Sequence, residues 1–123
     1  METYITDVKR TENRDFESIK TRINDRSLRL LHASLGVSTE SNEFLDMLKK
    51  HIYYGKTIDY VNLQEEIGDI LFYCAVALDE LNISFESVMS NNIEKLKKRY
   101  PEKFTSENAL NRNIENELSH FKG

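Results

Sequence analysis

Cysteine is almost missing from this chain. Cys74 stands alone in 123 residues, which excludes an internal disulfide and suits a reducing compartment. Proline occurs once and glycine four times, too few turn formers for a β-sandwich but compatible with a helical protein. An excess of basic charge is missing as well: the net charge is −4, so no global positive field invites nucleic acid. The longest apolar run, residues 70–78, has nine residues and is too short to cross a bilayer as a helix. The first ten residues contain no apolar signal core, so the expectation is a cytoplasmic protein with neither membrane nor nucleic-acid partners. No glycine-rich loop suggests a P-loop, and no Cys/His cluster suggests zinc. Di-iron bundles use Glu-x-x-His on two helices, and His32, His51 and His120 are not expected to supply that pattern.

What is present is charge, at 31% of residues, over a hydrophobic content of 39%, enough for one modest core. The pattern predicts an all-α fold, a helical bundle of four to five helices. Tyr4, Ile5 and Val8 suggest one short helical face; Phe16, Ile19 and Ile23 suggest another, with a polar break over residues 11–15. A long helix is expected over residues 26–54, capped by Asn24 or Asp25 and stopped by Gly55. Its inward stripe is Ala33, Val37, Glu40, Phe44 and Met47. Asp59 caps a third helix over residues 60–81, apolar on nearly every side over residues 67–78 and therefore expected to be the buried centre. Gly36 and Gly68 inside these helices mark places where something can approach closely. Ser84 caps a fourth helix that ends before Pro101, with Phe85, Met89, Ile93 and Leu96 as its buried stripe. Residues 1–112 then form the domain. Residues 113–123 are a tail, either mobile or a short helix.

The chemistry concentrates in two acid pairs, Glu40-x-x-Glu43 and Glu66-x-x-Asp69. On a helix, that spacing puts two side chains on one face, with Cβ atoms about 5–6 Å apart. Like charges so close repel, and a carboxylate in an apolar stripe is costly unless paired. A cation between the pairs removes both problems. Four carboxylates make a hard, oxygen-only donor set of the kind Mg²⁺ prefers, with Mn²⁺ as a substitute.

These residues, in this order, resemble a known family. His32-Ala33-Ser34-Leu35-Gly36, then Glu40-x-x-Glu43, Lys49-Lys50 and Tyr54-Gly55-Lys56 are similar to the MazG-like nucleotide pyrophosphohydrolases. Glu65-Glu66-Ile67-Gly68-Asp69-Ile70-Leu71 with Tyr73 resembles the second acid motif, and Asn92-Ile93-x-Lys95-Leu96-x-x-Arg99-Tyr100-Pro101 the closing element. The resemblance implies an all-α bundle that dimerises, often on to a tetramer, and cleaves nucleoside triphosphates to monophosphate and pyrophosphate. It implies that Glu40, Glu43, Glu66 and Asp69 hold Mg²⁺. Asn42 and Thr39 depart from the family pattern, where many relatives have glycine and some have an extra acid, without removing a ligand.

On this reading Glu43, ahead of Glu40, accepts the proton of the attacking water. Lys50, Lys95 and Arg99 are candidates to clamp the β- and γ-phosphates, and Asn92 and Tyr73 to contact sugar or phosphate. His32 and Tyr54 are candidates to meet the base. A third helix apolar all round needs more cover than so short a chain supplies, which a homodimer provides. The acid motifs do not separate this activity from a phosphoribosyl-ATP pyrophosphohydrolase or a dUTPase on the same scaffold. A non-catalytic nucleotide- or partner-binding module is the alternative of a different class.

Overall fold

The longer helices of this protein begin where a polar side chain caps them. The structure, a computed structural model, describes residues 2–122. Among them are seven α-helices and no strand: α1 (Glu2–Thr11), α2 (Phe16–Thr21), α3 (Asp25–Tyr54), α4 (Tyr60–Leu81), α5 (Phe85–Arg99), α6 (Ser106–Leu110) and α7 (Ile114–Lys122). The all-α expectation holds. Asn24 opens α3 through a reciprocal box with Ser27, satisfying backbone donors that the helix leaves unpaired. Gly55 closes α3 in the left-handed conformation at φ 73°, which a side chain would oppose. Asp59 accepts from the amide of Asn62 and starts α4; Ser84 does the same for Ser87 and starts α5. Thr105 accepts from the backbone amide of Asn108 and caps α6. None of the described helices is long and apolar enough to cross a membrane.

The chain divides between Ala77 and Leu78 into two units. In the first, α3 and α4 form an antiparallel hairpin joined by residues 55–59. A Cβ built on Gly36 would overlap the ring of Tyr73, so the tyrosine lies directly on the α3 backbone. Two further pairs repeat this register. Glu43 converges with Glu66, and the amide of Asn62 reaches the sulfur of Met47 at 3.6 Å. The expected stripe of α3 does face inward: Ala33 is buried, and Val37, Glu40, Phe44 and Met47 are partly so. Gly36 joins it as a second buried position.

In the second unit α7 packs on α5. Arg99 of α5 and Arg112 both grip Glu117 of α7, which is 1% exposed. Lys98 adds bonds to the carbonyl of Asn116 and the hydroxyl of Ser119.

Burial departs from expectation in α4 and α5. The only buried residue of α4 is Glu66, while Ile67, Leu71 and Phe72 stand half to two-thirds open. Met89 and Ile93 of α5 are about half open. The reason is that periodicity shows which face is apolar, not whether anything in the same chain covers it. Tyr4, Ile5 and Val8 of α1 are exposed as well. Gly68, expected to admit a close neighbour, has nothing within 4 Å of its would-be Cβ.

The two mid-helix glycines therefore have different duties. Gly36→Ala should destabilise the fold by about 1–3 kcal/mol, because the methyl must push Tyr73 off α3. Gly68→Ala should be neutral or stabilising by up to about 1 kcal/mol, since it gains helix propensity without a clash. Urea unfolding of both variants checks the pair; equal losses would mean that Tyr73 does not set the register.

Candidate metal centre

The centre is built from opposing faces of the α3–α4 hairpin. Glu40 and Glu43 come from successive turns of α3 and Glu66 from α4; one carboxylate oxygen of each lies within 4.8 Å of the others. Tyr73 on Gly36 fixes this alignment from two turns away. The three residues differ in access: Glu66 is buried, Glu40 partly so, and Glu43 open to water. Glu66 carries the strain. A hydrogen bond shared with Glu40, then burial, then the charge of Glu43 push its carboxyl up to about 7. Its buried Oε2 has no hydrogen-bond partner. A buried acceptor left alone costs free energy, and a carboxylate set of this kind is what a hard divalent cation binds. The residues present fit such an ion.

The fourth acid behaves differently. Asp69 is exposed and lies outside the group of three. It follows Glu66 by three residues, about 60° round the helix, yet in the antiparallel register it is the position facing Glu40.

The other sequence candidates divide. His32 meets Tyr73 edge-on, with ring centroids 5.7 Å apart, so these two are brought together beside Gly36. Phe72 also meets Tyr73 edge-on, at 5.1 Å. Tyr54 is 74% exposed at the end of α3. Lys50 pairs with Asp46 at 2.8 Å, which holds the Asp46 carboxyl below its usual range. Asn92 is exposed on α5 and Lys95 half-buried. Arg99 donates from Nε and Nη2 to the two oxygens of Glu117, at 3.0 and 3.2 Å. The guanidinium groups of Arg99 and Arg112 hold that carboxyl down at about 2, against the cost of its burial.

Sequence reasoning missed two features. One is a cavity of about 270 Å³ at the hairpin turn, lined by Met47, Lys50, Lys56, Ile58, Asp59 and Asn62. The spacing of Asp46 and Lys50 was a readable sign of the pair at its rim; the cavity itself had none. The other is Glu117, which does stand three residues before His120. That single Glu-x-x-His is not matched on a second helix, and the glutamate is committed to arginine.

The family model for the MazG nucleotide pyrophosphohydrolase domain matches residues 30–104, more than half of the chain. The chain belongs to this family. No curated protein and no solved structure matches it. The MazG match takes in both acid pairs together with His32, Lys50, Tyr73, Asn92, Lys95 and Arg99, and ends before Arg112 and Glu117.

The raised Glu66 has a measurable signature. Unfolding lets it release its proton near the ordinary 4.5 instead of about 7. The unfolded state thus holds fewer protons in that window, and the stability of the metal-free fold falls as pH rises from about 4.5 to 7. Melting curves in chelator should show this slope. Glu66→Gln should flatten it and melt higher at pH 8; an unchanged slope would place its origin elsewhere.

Proposed function

We propose that this MazG-family chain hydrolyses (deoxy)nucleoside triphosphates to monophosphate and pyrophosphate, with Mg²⁺ held by Glu40, Glu43, Glu66 and Asp69. The observation that carries the reading is the convergence of Glu40, Glu43 and Glu66 around a buried oxygen without a partner. When bound, the divalent ion offsets the acid charge, draws in the triphosphate and polarises its phosphoryl groups and nearby water.

The chain's own residues supply the rest. Glu43, the exposed member of the cluster, is the one that solvent reaches, and it takes the proton of the water attacking the α-phosphorus. Glu66, enclosed, serves as a fixed ligand. Asp69 completes the set by turning toward its register partner Glu40. Lys50 lies two turns past Glu43 and meets the departing phosphates. His32 and Tyr73, ring against ring, receive the base or sugar. Asn92, Lys95, Arg99 and Tyr54 are assigned to substrate by resemblance to the family pattern.

A homodimer belongs to the same proposal. Ile67, Leu71 and Phe72 expose a continuous apolar strip on α4, with Gly68 giving open space in its middle. A second copy covering that strip supplies the burial that one chain lacks.

Incubation with a panel of nucleotides and Mg²⁺, followed by product analysis, tests the activity. Pyrophosphate is expected; orthophosphate release would contradict the mechanism, and the preferred nucleotide separates the triphosphatase from the phosphoribosyl-ATP and dUTP activities. Glu40→Gln and Asp69→Asn should each lower kcat at least about a hundredfold while the helical circular-dichroism signal stays intact. Full turnover in Asp69→Asn would remove Asp69 from the ligand set. Light scattering should give twice the chain mass, falling to one chain in Phe72→Glu; a monomeric parent protein would refute the dimer.

A further inference from the structure

The cluster of Arg99, Arg112 and Glu117 has a stoichiometry that a simple strut does not need. One arginine would balance a buried glutamate; here two guanidinium groups share it, leaving one net positive charge. Both approach closely. Arg99 donates at 3.0 and 3.2 Å, and Arg112 donates from Nη2 at 2.9 Å and from Nε at 3.3 Å. Two cations that close together repel, so the pair is held only because the carboxylate between them stays charged. Glu117 uses Nε and Nη2 of each arginine, so Nη1 of each is the donor group not committed to it. Access is graded: the Arg99 side chain is 16% exposed and that of Arg112 39%, so one edge of the pair faces water. The ring of Tyr100 lies 5.8 Å from the Arg99 guanidinium carbon and restrains it further. Lys98 ties α7 to α5 beside the pair.

Arg99 is further tied by a hydrogen bond to Tyr100, which leaves Nη1 of the more open Arg112 as the donor not committed to Glu117. Two guanidinium groups fixed side by side, with an excess positive charge and that donor at the water-facing edge, are matched to the oxygens of a phosphate group. We infer that Glu117 positions Arg99 and Arg112 as a phosphate-binding pair, and that Arg112 is a ligand-contacting residue supplied by the segment beyond the family domain. The inference concerns anion binding alone, and it stands whether or not the chain turns over nucleotides.

Titration calorimetry of the full chain with inorganic pyrophosphate, in low salt and chelator, tests it without metal or catalysis. The unmodified protein should bind. Arg112→Lys keeps the charge and a donor to Glu117 but loses the fork, and should weaken binding about tenfold with the circular-dichroism signal unchanged. Glu117→Gln should also weaken it, because the two cations separate. Absence of binding, or equal affinity in Arg112→Lys, would overturn the proposal. Tighter binding in Glu117→Gln would overturn it too, by showing that Glu117 competes with the anion for the arginines.

Discussion

The arrangement of this protein's first unit depends on an aromatic ring lying on a glycine. With no side chain at Gly36, Tyr73 settles on the backbone of α3, and α4 is locked at one longitudinal position. A slip of one residue along either helix would rotate its contacts by about 100° and scatter the acids. Locked as it is, the hairpin brings Glu43 to Glu66 and Met47 to Asn62. The centre is thus a by-product of register, set by a contact two turns away that carries no charge.

Electrostatics divide the two units by purpose. In the hairpin, like charges converge: three carboxylates share a small volume, and one is forced toward its neutral form. In the second unit, opposite charges converge, and a carboxylate even more enclosed is held firmly ionised by two guanidinium groups. Burial alone therefore does not decide the state of a glutamate. Its neighbours do. The unsatisfied cluster is the one that fits an incoming cation; the over-satisfied one retains positive charge.

Local chemistry was legible in the sequence. Asn24, Gly55, Asp59 and Ser84 act at the helix ends where their types predict, because a cap depends only on residues three or four positions away. The inward stripe of α3 was legible too, since its period is a property of one helix. Burial of α4 was not: Ile67, Leu71 and Phe72 form an apolar face, but covering it requires something outside the hairpin. Of the two acid pairs, the convergence of three members followed from their spacing and the antiparallel return. The place of Asp69 outside that group did not, because spacing puts it opposite Glu40 without fixing which rotamer its side chain takes. Glu117 escaped altogether. Its partner Arg99 is 18 residues distant, and no local pattern announces a contact made by a returning chain.

The open oxygen of Glu66 has a consequence for how this hairpin can evolve. Replacing any of its three acids with an amide or an alkyl side chain would relieve mutual repulsion and make the fold more robust. The same change would discard the donor set. Durability and a donor set fit for a cation thus pull these positions in opposite directions, and the most heat-resistant descendant of this chain would be one that had lost that set.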